Sequence, residues 1–180
     1  MTALTRNATN KDILQSNKFR LTFDRLPEMT YFCQTVMLPG VSLTEVPRNT
    51  PFVDLYSPGE KLQYDPLTIS FLVDEDLRAW LNIHDWLRAC TFPTQFKEYR
   101  DLQKLNMNAM GRNVPKAMPQ FSDATLSIFT NKNNPNIRVK FVDLFPVTLD
   151  AVQFSSMDSA ENIITATATF RYSYYDVERI

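Results

Sequence analysis

The sequence predicts a mainly β protein with one flanking helix, an antiparallel β-sandwich or barrel. Three observations carry this. Several short runs alternate apolar and polar residues with a period of two, the mark of half-buried strands. A single stretch, "DEDLRAWLNIHDWLRACTFP", repeats its apolar residues at helical spacing. Aromatic residues make up 12% of the chain, with thirteen Phe and seven Tyr, side chains that suit a pleated surface.

The elements follow in order. Residues 1–17 are polar and read as an N-terminal arm or short helix. "KFRLTF" sets Phe19, Leu21 and Phe23 on one face and Lys18, Arg20 and Thr22 on the other. Arg25 to Thr30, with Pro27, reads as a turn, and "YFCQTVML" as a second strand antiparallel to the first.

Residues 38–65, "LPGVSLTEVPRNTPFVDLYSPGEKLQYD", hold two of the three glycines and four of the eleven prolines. They also carry Val41, Leu43, Val46, Phe52, Val53, Leu55 and Tyr56. Proline removes backbone donors and breaks helices, which excludes a helix or a central strand. The apolar content excludes a solvated linker. The segment is extended and must be covered by something, either its own sheet as an edge cover or another surface.

"LTISFLV" alternates again, with Leu67, Ile69, Phe71 and Val73 inward. The helix comes next, with Asp74 as N-cap and Glu75 and Asp76 in a first turn where the helix dipole favours negative charge. Leu77, Trp80, Leu81, His84 and Leu87 form one stripe, and Ile83, Trp86 and Cys90 a second beside it, so more than one side is covered. Pro93 ends the helix, and residues 94–120 read as an irregular surface loop. "DATLSIFT", "NKNNPN" and "IRVKF" make a hairpin. "DLFPVTLDAVQFSS" continues as strand, with Pro146 at an edge or bulge. "IITATATFRYSYYDVE" closes the chain as one long strand. Its alternation puts Ile164, Ala166, Ala168, Phe170, Tyr172 and Tyr174 on one face. Thr165, Thr167, Thr169, Arg171, Ser173 and Tyr175 fall on the other.

Length and composition bound the function. The 180 residues suit one domain with a real core. A formal charge of −1 gives no basic footprint for stable nucleic-acid binding. No apolar run approaches the ~20 residues of a membrane helix, and the N-terminus lacks a signal-peptide core, so a soluble, cytoplasmically made chain is expected. Cys33 and Cys90 read as two buried thiols in a reducing compartment.

Catalytic signals are missing. His84 is the single histidine and sits on an apolar stripe, where a hydrogen-bonded structural role is the plain reading. Asp74, Glu75 and Asp76 fit capping better than metal ligation. No CxxC, P-loop, GxGxxG or HExxH is present, and no enzyme, cofactor or metal is expected. The Thr, Ser and Arg face of the last strand reads either as a solvated sheet surface or as a wall past which a polymer slides, having no aromatic platform for stacking.

Three strings in fixed order carry a family resemblance. "NKFRLTFDRLPEMTYFCQTVMLPGVSLTEVP" runs strand, turn and strand to a Leu-Pro-Gly break. "SPGEKLQYDPLTISFLVDEDLRAWLNIHDWL" leads from a Gly-Glu-Lys turn through a strand and an acidic pair into an aromatic-rich helix. "LFPVTLDAVQFSSMDSAENIITATATFRYSYYDVE" makes a C-terminal hairpin with an aromatic closing strand. Over residues 17–93 and 121–178 the chain resembles the tail tube proteins of contractile-tailed bacteriophages; residues 94–120 depart from the pattern.

The resemblance implies a barrel-like fold of the phage tail tube type, shared with type VI secretion needle proteins, and no catalytic residues. It implies hexameric rings of the chain itself, stacked into a tube that conducts double-stranded DNA without binding it specifically. The implied partners are a tail sheath protein and baseplate and tube-initiator proteins. The implied location is the virion tail, assembled in the host cytoplasm, with no membrane insertion by the subunit. It makes 38–65 an inter-ring loop, with Val46, Phe52, Val53, Leu55 and Tyr56 in contact between subunits, and it makes Thr165, Thr167, Thr169, Arg171 and Ser173 channel-lining. A carboxylate beside Arg171, from the same or a neighbouring subunit, is then expected, since a bare cation would hold DNA. A tube initiator, a tail-completion ring and a type VI needle protein share this pattern. A small β-barrel nucleic-acid-binding module is a rival from another class, though "RVKFVD" offers only Arg138 and Lys140.

Overall fold

The computed structural model describes residues 12–91, 93, 95–97, 100, 120–157 and 163–180. The arm expected at 1–17 and the loop expected at 94–120 therefore lie largely outside the described residues. Among the described residues the elements follow in the order β1 (Phe19–Phe23), α1 (Met29–Phe32), β2 (Cys33–Met37), β3 (Val41–Asn49), β4 (Asp54–Tyr64) and β5 (Leu67–Leu72). Then come α2 (Arg78–Thr91), β6 (Ser122–Phe129), β7 (Pro135–Leu149), β8 (Thr165–Arg171) and β9 (Tyr174–Arg179). Seven strands form one antiparallel sheet, ordered β1-β6-β7-β8-β5-β2, with β9 on the remaining part of β7. β3 and β4 make a separate two-stranded sheet.

Alternation explains the core. Leu21 and Phe23 of β1, Leu67, Ile69 and Phe71 of β5, and Ala166, Ala168 and Phe170 of β8 are buried, as the period-two pattern requires. Val139, Phe141 and Leu144 of β7 join them. α2 covers this face with Ala79, Ile83, Trp86 and Ala89. Trp86 packs 6.2 Å from Phe170, donates to the Gln120 carbonyl at 3.0 Å and lies beneath the Arg25 guanidinium.

The sheet curls. Its two end strands, β1 and β2, line the same groove of about 600 Å³, with Phe19 and Leu21 on one wall and Cys33 and Val36 on the other. The bend lies in β7, which pairs with β6 and β9 up to Leu144 and with β8 beyond it. Asp143 takes a left-handed φ of 56° there, and its N–H donates to Asp123 Oδ1 at 3.1 Å, a bulge that turns the strand. The expected bulge at Pro146 is also present, as a register shift between Pro146 and Thr148.

Several expectations are corrected. β2 pairs with β5 and β1 with β6, so the first two strands are not a hairpin; α1 occupies the expected turn and takes Tyr31 and Phe32 from the strand. Both partnerships span distant sequence, which local alternation cannot encode. The last strand is broken after Arg171. Ser173 N–H donates to Val142 O and Ser173 Oγ to Asp143 Oδ2, and across that break Tyr175 turns to the core while Tyr174 is exposed. α2 starts at Arg78, so Glu75 and Asp76 precede it; Asp74 Oδ1 still accepts the Ala79 N–H at 3.3 Å. The deeper stripe is the one with Ile83 and Trp86, while Leu81 is exposed. His84 stacks on Trp80 at 5.1 Å, and its Nδ1 lies 3.4 Å from Asp85 in a geometry short of a hydrogen bond. Cys33 and Cys90 are free but only half-buried.

Candidate assembly interface

The β3–β4 hairpin is the unusual element. Prolines 47 and 58 sit within its strands, opposite Tyr56 and Glu45. A two-stranded ribbon tolerates them because each strand keeps one outer edge that needs no donor. At the tip, Thr50 Oγ1 accepts the Val53 N–H at 3.2 Å and donates back to the Val53 carbonyl.

Both described glycines mark close approaches. A Cβ on Gly59 would stand 2.5 Å from the carbonyl oxygen of Thr44, opposite the point where β4 carries extra residues. A Cβ on Gly40 would stand 2.6 Å from Asp65 Oδ2 at the root.

The hairpin's apolar residues are left open. Val46 is 50% exposed, Phe52 97%, Val53 60%, Leu55 53% and Tyr56 65%. Exposed Val41, Leu43 and Leu62 lie nearer the root. Within the subunit the segment is therefore not an edge cover over its own sheet. Register divides these residues between two faces. Leu55 opposes Arg48 and Val46 opposes Ser57 on one face, while Tyr56 opposes Pro47 on the other. Near the root Val41, Leu43, Leu62 and Tyr64 share a face. Uncovered apolar side chains on a ribbon that pairs with no other strand make it a candidate interaction surface.

A second surface lies on the outer face of the large sheet. Thr35, Ser70 and Thr167 stand in one cross-strand row, and Met37, Thr68, Thr169 and Thr148 in the next. Thr165 follows opposite Leu72. These rows are thus uncharged and hydroxyl-rich across four strands, and Arg171 adds one cation to the same face at the end of β8. Of the residues expected together, Thr165, Thr167, Thr169 and Arg171 lie on β8, while Ser173 sits in the bend beyond it. Thr68 and Ser70 were legible in the alternation of "LTISFLV"; Thr35 and Thr148 are brought in by pairings that alternation does not reveal. Arg171 Nη1 donates to the carbonyl of Tyr64 at 3.2 Å. Among the described residues it has no ion pair with a carboxylate, so of the two expected sources of an acid the same chain supplies none and offers a backbone oxygen instead.

No cluster of metal-ligating side chains occurs among the described residues, and no described helix is long and apolar enough to cross a membrane. Burial pushes the Cys33 thiol up to about 11. Burial, then Tyr175, Asp65 and Tyr64, pushes the Tyr172 phenol up to about 12. The Lys140 ammonium, 2.6 Å away and hydrogen-bonded, holds the Glu178 carboxyl below its ordinary value.

The family model for the phage tail tube protein matches residues 4–178. The chain is 27% identical over 154 residues to the tail tube terminator protein of Enterobacteria phage T4, covering 83% of this chain and 78% of that one. Among solved structures it resembles the tube-terminating cap of the anti-feeding prophage, with a TM-score of 0.64 at 13% identity over 100% of both chains. It also resembles a chain of the anti-feeding prophage baseplate, with a TM-score of 0.63 at 12% identity over 94% of this chain and 97% of that one. A chain from the sheath/tube terminator of the PVC extracellular contractile injection system gives 0.56 at 12% identity, over 95% and 99%. At such identities the likeness is one of fold.

Proposed function

The chain belongs to the phage tail tube protein family, a structural family and not an enzyme family, and from that premise we propose that it is a ring subunit at the end of a contractile tail's tube. In this reading copies of the chain close into a hexameric ring that terminates the tube. The ring stacks on the last tube ring through the β3–β4 hairpin and meets the sheath at its rim. Genomic DNA passes through its centre on the way to the host.

The observation that carries the reading is the hairpin, with Val46, Phe52, Val53 and Leu55 uncovered in the subunit. Completing their burial contributes about 4–8 kcal/mol per subunit before ordering costs, an upper estimate because it takes all of the remaining exposure as lost on docking. Repeated around a ring, that resists dissociation. The hydroxyl-rich face of β2, β5 and β8 suits the lumen, because uncharged hydroxyls offer phosphates no cation to grip and bases no ring to stack on.

The T4 relative's role as terminator favours the tube's end over the repeating tube subunit expected from sequence. Copy number separates the two. Quantitative mass spectrometry of purified particles is expected to find one ring's worth of this chain beside many rings of a different tube protein. A copy number that scales with tail length would make the chain the repeating subunit instead.

A further inference from the structure

Two tyrosine hydroxyls grip the two legs of the hairpin. Tyr175 Oη donates to the carbonyl of Pro39, where the chain enters β3, at 3.4 Å. Tyr172 Oη donates to the carbonyl of Asp65, where it leaves β4, at 2.8 Å. Between the legs the Asp65 N–H donates to Gly40 O at 3.0 Å and closes the root. Tyr64 then stands edge-on to both rings, 5.9 Å from Tyr172 and 5.2 Å from Tyr175, with Phe141 packed beneath at 5.1 and 5.7 Å.

This matters because no strand of the large sheet pairs with β3 or β4. Without the grip, the ribbon would be held only by its two connecting segments, the packing of the Tyr64 ring and the exposed Arg171 contact with the Tyr64 carbonyl, and would swing more freely. Tyr172 lies in the β8–β9 break and Tyr175 just beyond it, on either side of Ser173, which fixes the break to β7. They therefore act from an anchored base.

We infer that Tyr172 and Tyr175 form a clamp that sets the hairpin's angle to the body and so preorganises it for docking; the value of that angle rests on the docking role proposed above. Preorganisation lowers the ordering cost that docking would otherwise carry. The rings alone would pack at many angles, whereas a hydroxyl aimed at a given carbonyl selects one. The raised phenol of Tyr172 stays protonated, and hence a donor, at any physiological pH.

The test removes the hydroxyls and keeps the rings. Hydrogen-exchange mass spectrometry on the full chain carrying Tyr172→Phe, Tyr175→Phe or both should show faster exchange at residues 40–43 and 62–65. The expected acceleration is about fivefold per lost hydroxyl, with β5 and β8 unchanged. Unaltered exchange at the root, or equal acceleration in every strand, would overturn the clamp. This readout needs no docking, so its failure strikes the clamp alone; the docking role is tested separately at Phe52.

Discussion

Arg171 donates from Nη1 to the carbonyl oxygen of Tyr64, 3.2 Å away, and ties the end of β8 to the last residue of the hairpin. A cation that alternation places on the hydroxyl face is thus engaged at the hairpin root. Because the contact is exposed, Arg171→Gln should cost no more than about 1 kcal/mol. Urea unfolding checks this; a loss above about 3 kcal/mol would mean that Arg171 belongs to a buried network.

Phe52→Asp should leave the subunit folded, since a side chain exposed to 97% gives the core nothing, and its unfolding free energy should stay within about 0.5 kcal/mol of the parent. Assembly should suffer, because docking would bury an unpaired carboxylate. Sedimentation of assembled particles or rings reads the effect. Undiminished assembly would remove Phe52 from the interface.

Gly59→Ala should break the middle of the hairpin. The added Cβ meets the Thr44 carbonyl at 2.5 Å, and backbone does not yield cheaply. Gly40→Ala meets only Asp65 Oδ2, the end of a side chain that swings away, and should be milder. Since the β3–β4 ribbon is a sheet of its own, both variants should shift the thermal midpoint by less than about 3 °C, while Gly59→Ala alone abolishes assembly. Equal assembly by the two would contradict this.

Thr167→Lys puts a cation in the row shared with Thr35 and Ser70, on the face proposed to line the channel. A ring of such lysines should slow DNA release from particles at low salt and recover towards the parent rate at higher salt, as phosphate contacts do. Release kinetics at two ionic strengths decide the matter; identical rates would place Thr167 away from the lumen.

The Cys33 thiol, moved by burial from an ordinary 9.0 up to about 11, is almost wholly protonated at pH 8. Its thiolate fraction there falls roughly a hundredfold below that of an exposed cysteine, and alkylation should slow in proportion. The reaction should accelerate with pH until it passes the raised value. Rapid labelling at pH 8 would show that β2 opens away from β5.

Period-two alternation located β1, β5, β6, β8 and much of β7, because each buries one face against the core. It could not say which strands pair, and the local guess of a β1–β2 hairpin failed where β2 crosses to β5. The break in the last strand was equally hidden. The run "TFRYSYYD" alternates through it, and only Asp143 and Val142, distant in sequence, hold Ser173 in the bend. For the hairpin, prolines and apolar residues told that 38–65 was extended and needed a cover, but left open whether its own sheet supplied it; only the structure shows those side chains exposed. The carbonyls of Pro39, Tyr64 and Asp65 that anchor it are backbone atoms, identical at every position and so silent in a sequence. The hydroxyl face was half legible: β8 declared its threonines, while Thr35 and Thr148 joined only through pairing.

The most direct measurement is photocrosslinking in the assembled tail, with a benzophenone amino acid replacing Phe52. The account predicts that the label captures a neighbouring subunit, this chain or the tube protein beneath it, in particles but not in the free subunit. Recovery of the uncrosslinked chain from intact particles, with the hairpin still facing solvent, would contradict the proposal that another subunit covers it.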